Sequence, residues 1–547
     1  MKKCKTLNTS QKLETEDVIK ILLENRGLKT KKEIDEFLNP KLEQVNIKSI
    51  GIDKTELRKA IERIVKAIKN KEKIVVFGDY DADGICGTAI LWETLHSMGA
   101  DVMPYIPHRI EEGYGLSETG IKNLKLKIKN CGLIITIDNG IVANKAVDFA
   151  NKAGIDVIVT DHHVPSKKLP DALAIVHTTK LCGAGVAYLL SQEIKNGEED
   201  NHLELVALAT VADLVPLVGA NRTLVKFGIE KLRQTKRIGL LELYKESGLR
   251  QSEIGVYEIG HIIAPRLNAM GRLEDGIESL RLLCTNNQEK ARMLAYKLGS
   301  TNRQRQELTI QAVEHARLEV ISKKSEIKSL MFISHESYQQ GVIGLVAGKL
   351  TEEFYRPAIV VSIGEKYSKA SARSISGFNI IEFIRESSEF LVDAGGHPMA
   401  AGFTVETTKL ALLQKTFEEK ALTLLDEEKL TRILRVDCEL PLSAVDKNLY
   451  DGIQNLAPFG MRNPEPVFVS KDVVIEDMRA VGINGKHLKL QFRIQNSEFR
   501  INAIAFGMGE RLGEFKVGDK VDIAYTIDKD TWNGNKKLQL KVKDLRK

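Results

Sequence analysis

The chain has 547 residues, too many for a single core, and its composition (43% hydrophobic, 28% charged) excludes a disordered or fibrous protein. The formal net charge of +6 permits a basic groove without demanding one, since a cluster of acids would hide basic residues in the total. Six scattered cysteines (Cys4, Cys86, Cys131, Cys182, Cys284, Cys438) include no CxxC pair, which argues against a disulfide framework or a structural zinc site and for a reducing compartment.

The first residues, MKKCKTLNTSQK, have no apolar segment behind their lysines and do not read as a signal peptide. The most apolar run, 206–218, carries Asp213 and Pro216 and is too short to span a membrane. A cytosolic chain without membrane association is expected.

Residues 1–50 read as a polar helical segment with a break at Asn39-Pro40, and a helix follows from about Lys54 to Lys69. Three short apolar runs come next: Ile74-Val75-Val76-Phe77, Leu133 to Ile137, and Asp156 to Thr160. Helical patterns separate them, which predicts a mostly parallel sheet with helices on its faces. Residues 200–300 read as mainly helical. From Asn287 to Lys324 there is no proline and one glycine, which predicts a long helix. Strand-like runs such as Ala358-Ile359-Val360-Val361 then predict a second α/β domain. Beyond Leu456, strict alternation over 486–494 and 537–543, with turns at Asn484-Gly485 and Asn533-Gly534, predicts a small antiparallel barrel. The expected boundaries are 1–50, 51–245 (catalytic), 246–329 (helical connector), 330–440 (substrate-binding) and 441–547 (barrel).

The chemistry-bearing residues fall where strands end. In VVFGDYDADG, Asp79, Asp81 and Asp83 alternate, so an extended segment would point them to one side. Three acids that close repel one another and, in a cleft, need cations. A calcium loop is the competing reading, but the twelfth position from Asp79 is Ile90 rather than a glutamate. In IITIDNG, Asp138 follows the next strand, although Asp-Asn-Gly is also a good turn signal. In VIVTDHHVP, Asp161, His162 and His163 end the third. Asp213 sits in the apolar stretch ELVALATVADLVPL, either as a buried ligand or as a helix cap before Pro216. The carboxyl ends of parallel strands share one edge, so these groups should converge. Mixed oxygen and imidazole donors suit Mn2+ or Mg2+, and so many acids suggest two ions acting on a phosphoester through a metal-activated water.

GDYDADG, TIDNG, TDHH and VADLVPL together resemble the DHH phosphoesterase superfamily. IPHRIEEGYGL, CGAGVAY, APRLNAMGR, GVIGLVAGKL, SARSISGF, GGHPMAAGF and PFGMRNPEPVF are similar to the RecJ family of 5′→3′ single-strand-specific DNA exonucleases, from about residue 50 to the C-terminus. The resemblance implies a DHH-type parallel-sheet domain, a long connecting helix, a DHH-associated domain and a C-terminal oligonucleotide-binding (OB) barrel. It implies two divalent cations, Mn2+ or Mg2+, held by Asp79, Asp81, Asp83, Asp138, His162 and Asp213. Asp138, Asp161 and His163 would be the catalytic group, with Asp161 orienting a histidine and His163 meeting the scissile phosphate. Substrate contacts are expected from Arg109, Arg272, Ser371, Arg373, Gly396 and His397, with Tyr114 stacking a base. Lys486, His487, Lys489 and Arg493 form a basic strand face on the barrel.

The implied activity is hydrolysis of single-stranded DNA from a 5′ end to nucleoside 5′-monophosphates, in DNA repair and recombination. The implied protein is a monomer, with a RecQ-type helicase and a single-stranded-DNA-binding protein as candidate partners. Four positions depart from the pattern: Phe77 stands where related pyrophosphatases carry histidine, His108 and His177-Thr178-Thr179 where asparagine and Asn-Pro are expected, and Gln339-Gln340 where a Trp-His pair is expected. Two other readings compete. A hydrolase of short oligonucleotides or cyclic dinucleotides would have no need of the barrel. A non-catalytic RecJ-like scaffold would be expected to lose acids that are all present here.

Overall fold

The structure, a computed structural model, describes residues 3–7, 14–128, 130–195, 202–322, 329–494, 498–530 and 537–547. Two compact units result: Val45–Val215 with Leu224–Arg432, and Met1–Gln44 with Pro216–Thr223 and Ile433–Lys547. Among the described residues no helix is long and apolar enough to cross a membrane.

In the larger unit the apolar runs become β1 (Lys73–Phe77), β2 (Val102–Tyr105), β3 (Cys131–Ile137), β4 (Asp156–Asp161) and β5 (Ala174–His177). Every neighbouring pair is parallel and the order is β2-β1-β3-β4-β5. The sheet therefore grows outward in both directions from β1 and β3, and the gap beyond their carboxyl ends is its topological switch point. Ile74, Val75, Val76, Phe77 and Leu133 to Ile137 are all buried, as expected for strands covered on both faces. The covering helices α1 (Ala82–Ser97), α2 (Gly183–Ile194) and α3 (Leu203–Ala212) are apolar nearly all round.

Helix α1 starts at Ala82, directly after Asp81. Asp81 acts as its N-cap, its Oδ1 accepting from the N–H groups of Asp83 (2.9 Å) and Gly84 (3.1 Å). Asp83 is thus helical, and the three aspartates do not share a side by strand alternation. Helix α4 (Ala264–Leu273) closes over this turn. Asn268 Oδ1 accepts from the Ala82 N–H at 2.7 Å, and a Cβ on Gly271 would come within 2.3 Å of the Tyr80 carbonyl oxygen.

The long helix α5 spans Gln288–Ser322, 35 residues or about 52 Å; the expected end at Lys324 lies outside the described residues. It leads to a second sheet of β6 (Met331–His335), β7 (Ala358–Ser362), β8 (Tyr367–Arg373), β9 (Leu391–His397) and β10 (Ala400–Glu406). Their order is β9-β10-β8-β7-β6, antiparallel except for β6 with β7.

The smaller unit contains a closed five-stranded barrel: β11 (Phe468–Val481), β12 (His487–Arg493), β13 (Arg500–Ala505), β14 (Lys520–Lys529) and β15 (Leu538–Arg546). β11 pairs with both β12 and β14, which closes the ring and removes free edges. Leu488, Leu490 and Phe492 point inward as the alternation predicts. The Asn484-Gly485 turn forms with both residues at positive φ (55° and 66°), whereas Asn533-Gly534 lies outside the described residues. The N-terminal helices Thr15–Asn25 and Lys31–Leu38 complete this unit's core: Val18, Leu22 and Phe37 pack in one cluster with Leu449, Phe468 and Tyr525. Buried Arg222 ties the pieces together. Its guanidinium lies 4.0 Å from the Phe37 ring centroid and donates to the carbonyls of Phe37 (3.1 Å) and Asn455 (3.3 Å).

Candidate metal and phosphate site

The strand-end acids and histidines converge at the switch point. Asp138 Oδ1 lies 3.0 Å from His162 Nε2, and the same nitrogen is 3.7 Å from both Asp83 Oδ2 and Asp213 Oδ2. Three overlapping donor groups result: Asp79, Asp81 and Asp138; Asp138, His162 and His163; and Asp83, His162 and Asp213. Asp138 and His162 are each shared by two of them.

Glycines permit this crowding. A Cβ on Gly84 would fall 2.6 Å from the Asp79 nitrogen, and one on Gly183 would fall 2.5 Å from Asp138 Cβ. Asp138 itself takes a left-handed backbone, φ +62°, which turns its carboxylate back toward the other ligands. Asp213 caps the end of α3, with about a third of its side chain exposed (32%).

The electrostatics are those of charges awaiting a counter-ion. Burial first, then the charge of Asp81, push the Asp79 carboxyl well above its ordinary range. Burial and then Asp83, Asp81 and Asp79 do the same to Asp138. Burial and Asp83 raise Asp213 to about 8. Burial lowers His162, which favours the neutral imidazole that binds metals. The buried oxygens Asp79 Oδ1 and Asp138 Oδ1 accept no hydrogen bond, although Asp138 Oδ1 is so close to His162 Nε2. Two donors in near contact that are not bonded to each other, beside orphaned carboxylate oxygens, fit a divalent-cation site.

Asp161 and His163 are engaged differently. Asp161 Oδ1 accepts from the His162 N–H (2.7 Å), the His163 N–H (3.1 Å) and His163 Nδ1 (2.8 Å), and Oδ2 accepts from the Ile141 N–H (2.9 Å). Burial alone would raise this carboxyl, but the bonds from His163 and the backbone hold it below its usual range. For His163 burial lowers the pKa, and the bond to Asp161 outweighs it, giving about 9.

Across from the acids stands a group of guanidiniums. Arg109 covers the Tyr80 ring at 5.0 Å. Arg272 donates to the Gly341 carbonyl (3.2 Å), and Arg373 to the Ala372 carbonyl (2.9 Å) and Ser371 Oγ (3.3 Å). Burial, then Arg109, Arg305 and Arg373, lower Arg272 to about 10; burial, then Arg109, lower Arg373. Arg109, Arg305 and Arg373 each press on Arg272, so the four are close neighbours, and none of them has a carboxylate among its described hydrogen-bond partners. Gly344 keeps this cradle open, since a Cβ there would lie 2.9 Å from Ser371 Oγ and 3.1 Å from Arg373 Nη2. Gly396 has φ +138° and turns β9 so that His397 stacks on His163, with ring centroids 5.8 Å apart and planes at 20°.

The fifteen residues expected to bind metal, take part in the chemistry or contact the substrate near it therefore all lie in the larger unit, around these two clusters. Four further residues escaped that reading. Asn139 was read only as part of a turn, yet it is buried and bonds three backbone groups. His177 Nε2 donates to the His163 carbonyl at 2.7 Å; its place at the end of β5, the fifth parallel strand, was a usable signal. Asn268 sits inside the quoted segment APRLNAMGR. Arg305 lies on the charged helix α5, where nothing in the pattern distinguishes it.

On the barrel, His487, Lys489 and Arg493 alternate with buried residues and face outward, and Phe506, 58% exposed, packs edge-on to His487 with centroids 5.2 Å apart.

Three family models match the chain in order: the DHH family N-terminal domain over residues 73–210, the DHHA1 domain over 326–423 and the RecJ OB domain over 436–544. The single-stranded-DNA-specific exonuclease RecJ of Salmonella typhimurium is 31% identical over 96% of this chain and 95% of its own length. That of Bacillus subtilis is 37% identical over 89% of this chain, which spans 63% of the longer relative. Among solved structures, RecJ from Thermus thermophilus in complex with Mn2+ superposes over 100% of this chain and 79% of its own, with TM-score 0.83 and 28% identity. Domain order, full-length similarity and the geometry of the acidic cluster agree: the chain belongs to the RecJ family of DHH phosphoesterases.

Proposed function

We propose that this chain is a metal-dependent exonuclease that degrades single-stranded DNA from the 5′ end and releases nucleoside 5′-monophosphates. The observation that carries this reading is the pairing, within one unit, of a carboxylate and imidazole cluster with a crowded cradle of arginines that have no carboxylate among their described hydrogen-bond partners. The first can hold cations, and the second calls for phosphate.

Asp79, Asp81, Asp83, Asp138, His162 and Asp213 would hold two divalent cations, with Asp138 and His162 shared. Bound there, Mn2+ or Mg2+ would supply charge neutralisation at the scissile phosphate and acidify the attacking water. The protein's own groups do the rest. Arg109, Arg272, Ser371 and Arg373 would grip the terminal 5′ phosphate, Gly344 and Gly396 keeping side chains out of its way. One terminal phosphate gripped at a fixed distance from the acids places the next phosphodiester for attack, which gives direction and a one-nucleotide step. His163, braced by Asp161, would stand against the scissile phosphate and offset the charge that develops on it, and His397 stacks beside it. The bond broken is between phosphorus and the 3′ oxygen of the terminal nucleotide, so each cut leaves a fresh 5′ phosphate for the next.

The outward strand face of the barrel, His487, Lys489 and Arg493, with Lys486 in the turn just before the strand, would hold the DNA strand beyond the site through its backbone, making binding salt-dependent and sequence-tolerant. A free single strand is what a RecQ-type helicase delivers. The protein is proposed to act on such strands as a cytosolic monomer in DNA repair and recombination, with a single-stranded-DNA-binding protein as a further partner.

The test uses a labelled single strand and the same sequence as a blunt duplex, each with Mn2+ and with chelator. Rapid release of mononucleotides from the single strand alone, abolished by chelator, is expected. Equal degradation of the duplex, or activity that survives chelation, would overturn the proposal.

A further inference from the structure

The segment 108–117, between β2 and the helix Glu118–Lys127, carries Tyr114 into the site. Gly113 and Gly115 flank it at φ +82° and +64°. Buried Asn139 clasps this loop. Its Oδ1 accepts from the Leu116 N–H (3.0 Å), while Nδ2 donates to the carbonyls of Ile137 (2.8 Å) and Phe77 (3.3 Å). The loop is thereby fixed to the ends of β1 and β3.

Tyr114 Oη is 3.0 Å from the Asp138 carbonyl oxygen and 3.2 Å from His163 Nε2. Its ring stands nearly perpendicular to those of His163 (5.9 Å, 77°) and Tyr80 (6.2 Å, 82°) and lies parallel to neither. A phenol has one proton to give. The Asp138 carbonyl can only accept, so the hydroxyl donates to it and accepts from His163 when Nε2 carries a proton. When Nε2 is bare, the hydroxyl turns and donates to it. Either way the imidazole is held at both nitrogens, by Asp161 at Nδ1 and Tyr114 at Nε2. The same hydroxyl steadies the carbonyl of Asp138, whose left-handed backbone needs outside support.

We infer that Tyr114 is a positioning residue: its hydroxyl, rather than a ring face offered to a base, fixes the His163 imidazole and the Asp138 peptide where the scissile phosphate arrives. This rests on the exonuclease reading above. Tyr114→Phe removes the hydroxyl and leaves the ring. On a 5′-phosphorylated single strand with Mn2+, kcat is expected to fall about ten-fold with KM within about two-fold of wild type. If the ring acted by stacking, phenylalanine would serve equally well, so an unchanged kcat, or a change in KM alone, overturns the inference. A second measurement is independent of turnover. In metal-free protein with 15N-labelled histidine, the Nε2 resonance of His163 is expected to move in Tyr114→Phe, and an unmoved resonance is equally fatal. Inactivity of the wild-type chain on single strands would sink the exonuclease reading instead, leaving the resonance comparison to decide the Tyr114–His163 contact.

Discussion

Arg272 holds a largely enclosed positive charge whose neighbours include three more guanidiniums, and its one described hydrogen bond goes to the Gly341 carbonyl. Arg272→Met removes that charge and keeps much of the stem volume. Burial and the other arginines push its pKa down to about 10. At about 1.4 kcal/mol per pKa unit this is a penalty of about 3 kcal/mol, reduced to about 2 by solvent at its partly open side. Losing the bond to Gly341 costs about 1 kcal/mol. The metal-free variant should therefore be more stable by about 1 kcal/mol. The larger unit has about 380 residues, so with an unfolding entropy of about 2 cal/mol/K per residue the melting temperature should rise by about 1 °C. Activity should move the opposite way, with KM for a 5′-phosphorylated strand up about ten-fold and the salt dependence of binding weaker by about one phosphate contact. Differential scanning calorimetry and steady-state assays at several salt concentrations measure both. A melting temperature lowered by several degrees would show that Arg272 is a structural cation, and an unchanged KM would remove it from the phosphate cradle.

Other perturbations separate the roles of neighbouring groups. Asp138→Asn and Asp138→Ala should both lower kcat at least a thousand-fold while sparing strand binding by fluorescence anisotropy, but only alanine should also cost about 1 kcal/mol on thermal melting, because asparagine tolerates the left-handed backbone at φ +62°. His177→Ala should lower kcat several-fold by freeing the His163 carbonyl, and His177→Gln, which keeps an N–H at similar reach, should restore most of it. Burial would raise Glu93, but bonds from His202 and Arg237 outweigh it and hold the carboxyl at about 2. A depressed carboxyl stabilises the fold above its unfolded pKa, and that contribution is lost as pH falls toward the folded value. Glu93→Gln should therefore cost about 3 kcal/mol at neutral pH, and its deficit against wild type should close between about pH 4.5 and 2 in parallel urea titrations.

The acidic half of the site was legible in the sequence because topology does the assembling. Once three apolar runs are read as parallel strands, Asp79, Asp138 and Asp161 must share an edge, with no knowledge of loops. Where the reading slipped, a local bond was the cause. Asp81 folds back to cap α1, so Asp83 reaches its neighbours from a helix, with both oxygens bound by the N–H groups of Gly183 and Ala184 at 2.7 Å. Likewise Asp213, which sequence left open between ligand and cap, ends α3 and keeps its carboxylate free to face His162.

The phosphate side followed no such rule. Arg109, Arg272, Arg305 and Arg373 come from a loop, two helices and a strand of a second sheet, separated by up to 264 positions in sequence. No periodicity links them, and each taken alone reads as a surface cation. What marks them is a property of the folded state: they crowd together with no carboxylate among their described hydrogen-bond partners, and burial and neighbouring guanidiniums press on Arg272 and Arg373, a cost an anion would offset. Asn139, and the part that the Tyr114 hydroxyl plays, were hidden for a related reason. Their work is done through backbone groups, the Leu116 N–H and the Asp138 carbonyl, which look the same in every sequence. The metal ligands are residue types whose chemistry announces itself at a strand end, whereas groups that hold those ligands in place are recognisable only once the backbone they bond to has a position. A site of this kind is thus read from sequence in the order of its chemistry, acids first, phosphate grips second and positioning residues last.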